Sequence, residues 1–462
     1  MSDEIDALLH DAAALHRFVD FLDLYCRQNS TSQVYVDSAG LFFRYIQELA
    51  KGVKAKLEKD VQRATRFPNR LLNIRSEILT IKNYLRLLHT LVKPVADAHT
   101  LNIPAPLIDL ATHQLGQVDG MDGAKVVILL TPELMYFQRP HTDIKNIARL
   151  VEGFVPEASF PSKLGFVELP YSQGPSFFTN LALYHEIGHF VYEELSSSSP
   201  PHQGISHLRS SIGTSLRQVT TTTSPQAFAV QVGILESWTQ EIFCDLFALR
   251  LLGPAFSFSL LEILSLLGLL RDRDYIVFSP THPASACRLS EHLDLLTKEG
   301  WMAAISDVGA SAKNLLEHIS GRPASQYEMY FDDQHPGPRW LVDAFIAVLP
   351  IIRELVKDIT GSAAAHVGRF TQWRGPIQAA LAEGIVPSVK VDGAVPDPIS
   401  IINASFCFYL TSIPSLIRTF EGLQPQQVPS LESRSGWTNR LEMWTMKAIE
   451  DAQLPSLYSM KG

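Results

Sequence analysis

LALYHEIGHFVYEEL, residues 181–195, is the stretch on which the reading of this chain turns. It is apolar at helical spacing, yet it carries His185, Glu186 and His189 in an H-E-x-x-H pattern. Residues four apart lie one above the other on a helix, so both imidazoles face the same way and can reach one ion. Glu186 stands beside them, where a carboxylate can take a proton from a water that a metal has acidified. Buried polar groups need partners, and a bound metal supplies one for this set. Gly188 lacks a side chain, which allows another element to pack closely on the helix.

A catalytic zinc takes three protein ligands and keeps one position open. A histidine six residues after His189 would be one source of the third ligand, but that position is Leu195. His202 and His207 lie in a Ser-rich segment, a poor platform for a ligand. The better source is ESWTQEIFCDLFALRLLG, residues 236–253. There Glu241 and Asp245 share a helix face, so Glu241 is expected as the third ligand. Asp245 is expected to accept the second ring N–H of a ligating histidine. Glu236 competes for the ligand role but lies off the Glu241 face. Further on stands Thr281-His282-Pro283, followed by Arg288. His282 or Arg288 can donate to a developing oxyanion; alternatively, Arg288 pairs with Asp245 or Glu241 and organises the helix.

Taken in order, H-E-x-G-H, then E-x-x-x-D about fifty residues on, then T-H-P with a following arginine resemble the gluzincin metallopeptidases. The set is most similar to the prenyl-protein peptidase and HtpX-like branch, over roughly residues 166–296. That resemblance implies a zinc peptidase acting on a peptide or protein substrate. His185, His189 and Glu241 would hold Zn2+, Glu186 would be the general base, and Asp245 would support a ligand. His282 and Arg288 would lie near the transition state. It also implies an edge strand above the motif helix on which substrate pairs, with GFVELPY (165–171) the candidate. The branch is built around membrane-spanning helices, and no clean apolar run of that kind occurs here. The most apolar stretch, 251–270, is interrupted by Gly253, Pro254, three serines and Glu262, and reads as a buried helix pair.

Around the motif, the expected fold is mainly α with a small β-sheet, a zincin-like core flanked by helical regions. Residues 1–115 read as a helical bundle with breaks near Pro68 and Pro94. Residues 116–300 read as the metal-binding core. AKVVILL (124–130) and GFVELPY are its strands, and a helix starting near Pro175 carries the motif. Residues 301–462 read as a further helical region. SSSSPP, SSIGTS and TTTTSP mark 196–226 as a mobile insertion, a candidate lid. Asp332, Asp333 and His335 read as a turn before Pro336 rather than a second metal site.

Composition narrows the classes. The 462 residues are 46% apolar and 19% charged, ordinary for a globular protein able to bury a large core. A net charge of −9 argues against a general nucleic-acid surface. The basic run KGVKAKLEKDVQRATR from Lys51 reads as a solvated helix face. The N-terminus has no secretory pattern, and Cys26, Cys244, Cys287 and Cys407 form no C-x-x-C pair, so a cytoplasmic protein with reduced thiols is expected. A rival expectation is a regulatory or effector protein, with a partner on its helical flanks, whose metal site acts on one partner or is structural.

Overall fold

The computed structural model describes residues 2–30, 37–100, 104–131, 137–139, 141–155, 158–170, 176–219, 224–270, 274–308, 310–332, 335–387, 394–413, 417–418 and 430–459. Its helices, in chain order, begin with α1 (Ser2–Ser30), α2 (Asp37–Arg66), α3 (Leu71–Thr100), α4 (Ala105–Leu115) and α5 (His141–Glu152). Then come α6 (Leu183–Ser197), α7 (Gln203–Val219), α8 (Pro225–Leu252), α9 (Pro254–Leu266), α10 (Ser285–Lys298) and α11 (Trp301–Ala304). The last are α12 (Ala310–Ser320), α13 (Arg339–Thr360), α14 (Val367–Ala382), α15 (Pro398–Thr411) and α16 (Leu431–Ser459). The strands are β1 (Lys125–Thr131), β2 (Phe137–Arg139), β3 (Leu164–Pro170), β4 (Val277–Phe278), β5 (Glu328–Asp332) and β6 (His335–Pro336). The protein is thus mainly α with small sheets.

Two compact units divide the chain, and each is built from two stretches: Met1–Ala105 with Gly123–Gly174, and Pro106–Asp122 with Pro175–Gly462. This grouping differs from boundaries at 115/116 and 300/301. The expected strands go with the N-terminal helices, and the motif helix goes with everything after it.

In the first unit α1, α2 and α3 pack around Leu15, Val19, Phe42, Phe43, Ile78 and Leu85. Hydrophobic burial of this kind outweighs local breakers. Pro68 marks a break, as expected, but Pro94 lies inside α3. The helix runs on because Val92, Val95 and Ala96 are buried around that turn. β1 pairs in parallel with β3, and β2 pairs antiparallel on the other side of β3. β3 is therefore the central strand, not the expected edge. Its backbone is paired along its length by β1 and, at residues 166–168, by β2 on the other side. Tyr171 and Pro175 lie outside the described residues.

In the second unit α8 forms the spine. Ser224 caps it by accepting from the Ala227 N–H at 3.2 Å, with Pro225 in the first turn. It stops at Gly253, whose φ of 73° suits glycine, and Pro254 starts α9. The 251–270 stretch is therefore a broken helix pair as expected, buried through Leu261. Among the described residues no helix is long and apolar enough to cross a membrane.

The expected mobile insertion is mostly a helix. Within 196–226, α7 occupies Gln203–Val219, and Ile205, Leu208, Ile212 and Leu216 are fully buried. Those four recur at helical spacing and pack α7 against α13 and α8. The hydroxyl-rich composition hid the stripe; residues 220–223 lie outside the described residues. Asp332 stands opposite His335 across β5 and β6; Asp333 is not among the described residues. All four cysteines are free and buried.

α6 lies against α8 so closely that a Cβ on Gly188 would sit 2.8 Å from the Cys244 Cα. Backbone cannot yield as a flexible side chain can. Gly188→Ala is expected to lower stability by about 1–3 kcal/mol through overpacking, read as a lower denaturation midpoint. An unchanged midpoint would mean that α6 and α8 can part without cost.

Candidate metal centre

Four segments of the second unit converge: α6, α8, the turn at 279–282 and α10. His185 is fixed first. Its Nδ1 lies 2.9 Å from Asp245 Oδ1. A carboxylate only accepts, so Nδ1 donates and Nε2 faces the cluster. There His185 Nε2 lies 3.2 Å from His189 Nε2 and 3.3 Å from Glu241 Oε2. His189 Nε2 lies 3.4 Å from Glu241 Oε1. Two imidazoles and one carboxylate thus bring two ring nitrogens and two carboxylate oxygens together, with each histidine meeting a different oxygen.

These separations test whether an ion fits. Zinc bonds of about 2.0–2.1 Å at tetrahedral angles put ligand atoms about 3.3–3.4 Å apart. The two ring nitrogens stand close to that spacing from each other and from one Glu241 oxygen each, and histidines with a carboxylate form a zinc-compatible set.

Electrostatics agree. Burial alone would raise the Glu241 carboxyl, but the hydrogen bond and charge of His185, with His189 and Arg288, take it down to about 2. Burial would likewise depress His185; its contacts with Asp245 and Glu241 outweigh that and raise it to about 10. His189 is pushed down to about 4, chiefly by burial. A metal bound at the His185 Nε2 would have to displace the proton that these contacts favour.

Asp245 is fully buried and heavily bonded. Arg288 donates to it twice, Nε to Oδ2 at 2.6 Å and Nη2 to Oδ1 at 2.7 Å. The Arg288 Nη1 lies 3.7 Å from Glu241 Oε2. Of the two roles open to this arginine, the geometry shows pairing with Asp245. His282 is placed differently. Ser279 Oγ accepts from the His282 N–H at 2.9 Å, and Thr281 Oγ1 lies 2.9 Å from His282 Nδ1. Its Nε2 is 3.7 Å from Glu241 Oε1, on a ring 54% exposed. The Trp238 Nε1–H, donating to Ser279 O at 2.7 Å, ties this turn to α8.

The competitors for the third ligand position are elsewhere. Glu236 stands half-exposed, 4.0 Å from Arg209. His202 and His207 line a cavity of about 760 Å3 with Asp119, Glu354 and Asp358, and His202 lies 3.4 Å from Asp119. Cys244 is the residue the sequence reading passed over as a ligand. One donor atom each from His185, His189 and Cys244 lie within 4.8 Å of one another. Two features favour Glu241 over this thiol. The Glu241 oxygens meet both imidazoles at 3.3–3.4 Å. The thiol is held well above its ordinary pKa by burial and by the carboxylates of Glu241, Glu186 and Asp245. The signal for Cys244 was in the sequence, since it lies three residues after Glu241 on the same face of α8.

Comparison of the chain with family models, curated proteins and solved structures finds no match in any of the three.

Proposed function

We propose that the chain is a zinc-dependent hydrolase with a zincin-like core, cleaving peptide bonds. The observation that carries this reading is the mutual 3.2–3.4 Å spacing of His185 Nε2, His189 Nε2 and the Glu241 carboxylate oxygens. When bound, zinc lowers the pKa of a coordinated water to about 7 and polarises a carbonyl oxygen. The remaining work falls to the chain. His185, His189 and Glu241 fix the reaction point, and Asp245 holds the His185 tautomer. Glu186, one residue from His185, takes the proton from the attacking water and hands it to the leaving nitrogen. His282, on its exposed turn 3.7 Å from Glu241 Oε1, is the candidate side-chain donor for the oxyanion.

The test joins composition to turnover. Purified protein is expected to carry near-stoichiometric zinc by elemental mass spectrometry and to cleave unfolded polypeptides. Glu186→Gln is expected to keep its zinc while losing on the order of 10²- to 10⁴-fold in rate, the usual worth of a general base. Wild-type turnover in that variant would remove Glu186 from the mechanism.

A second reading has one observation of its own. If Cys244 joins the two histidines and Glu241, the metal is closed off by four ligands and is structural. In that case zinc is lost from Cys244→Ser, and the wild type holds zinc with no hydrolysis of any substrate.

A further inference from the structure

His292 is fully buried, and its Nε2 has no hydrogen-bond partner. Such a group normally costs about 1–3 kcal/mol, so its position calls for a reason. It stands four residues after Arg288 on α10, on the same helix face. Its Nε2 lies 3.8 Å from Asp245 Oδ2. Its Nδ1 lies 3.0 Å from the hydroxyl of Ser257, a buried residue of α9. The Phe256 ring, 5.5 Å away between centroids, packs on the imidazole.

The acceptor capacity of Asp245 explains the arrangement. A carboxylate offers about four lone-pair sites. Oδ1 receives His185 and Arg288, and Oδ2 receives Arg288. One site on Oδ2 remains, and His292 stands beside it. With the Ser257 hydroxyl donating to Nδ1, the proton of the neutral ring sits on Nε2, 3.8 Å from Oδ2. The reverse tautomer would turn a lone pair toward a carboxylate.

We infer that His292, with its tautomer set by Ser257, is a positioning residue for the metal centre, completing a Ser257–His292–Asp245–His185 chain across α9, α10, α8 and α6. The inference rests on the zinc reading above. Its effect is to hold the Asp245 carboxylate against rotation, and so to keep His185 Nε2 aimed at the ion. Outer partners of this kind are worth about 10- to 100-fold in metal affinity.

The experiment measures zinc affinity by chelator competition, with the absorption spectrum of the Co2+-substituted protein as a geometric readout. His292→Phe keeps the ring volume and removes both nitrogens; His292→Gln restores a donor at the Nε2 position. The phenylalanine variant is expected to lose about 10- to 100-fold in affinity with an altered Co2+ spectrum, and the glutamine variant to recover most of both. Ser257→Ala is expected to shift affinity in the same direction, and it provides the test if His292→Phe does not fold. Wild-type affinity in the phenylalanine variant overturns the inference. Equal loss in both His292 variants also overturns it, because the donor is then not what matters. A wild-type protein that binds no zinc overturns the zinc reading itself, and this inference with it.

Discussion

Glu241→Ala is expected to strip the protein of its metal. Removing a residue that merely orients a ligand costs about 10- to 100-fold in affinity, and removing a direct ligand costs more. Two neutral imidazoles remain in the variant, and a two-coordinate site holds zinc poorly against a chelator. The side chain lies among His185, His189, His282 and Arg288, so its loss leaves positive and neutral groups around an ion that needs negative charge. Zinc content after dialysis against a weak chelator is the measurement. Full retention would assign the third position to Cys244, the side chain grouped with both histidines within 4.8 Å among the described residues. Glu236 is no substitute, because it is half-exposed beside Arg209.

Arg288→Met is expected to be the most damaging single change to stability. It keeps much of the side-chain volume and removes the charge opposite a fully buried carboxylate. Breaking such a pair costs about 3–5 kcal/mol, because the partner is left charged without compensation. Denaturant unfolding reads the loss, and a change under about 1 kcal/mol would mean that water reaches Asp245.

The pH dependence follows from the same contact. Burial alone would raise the Asp245 carboxyl; the charge and hydrogen bonds of Arg288, with those of His185, hold it far below the usual carboxylate range. A group depressed in the folded state stabilises fully above its unfolded pKa of about 3.9 and loses that contribution as the pH falls toward the folded value. Wild-type protein should therefore keep this contribution at pH 5 and lose it in stronger acid. The variant, with the carboxylate no longer held, should gain stability relative to wild type as acid neutralises Asp245.

Much of the site was legible because its chemistry repeats at helical spacing. His185 with His189, and Glu241 with Asp245, each announce a face one turn long, and Gly188 announces a close neighbour. What the sequence left open was settled by three-dimensional partners. Arg288 had two roles open to it, and its bidentate contact with Asp245 is visible only in three dimensions. His292 went unnoticed, although its place four residues after Arg288 puts it on the same face. The fold was less legible. In 196–226 the serines and threonines masked a four-residue apolar stripe that buries α7. The position of β3 between two partners depends on pairing, which alternation within one strand does not encode. Each compact unit is assembled from two separated stretches, a grouping that no local signal in the sequence encodes.

Position 188 has a consequence of a different kind. It touches no ion and carries no functional group, yet it sets the clearance between the helix that bears the histidines and the helix that bears the carboxylates. It works as a spacer of zero thickness. Each carbon added there would widen the gap between the histidines and Glu241, so on the zinc reading proposed above the affinity for metal would be tunable from a residue that is not itself a ligand. A graded series at this one position would act as a calibrated shim, loosening the ion while every ligand stays in the sequence.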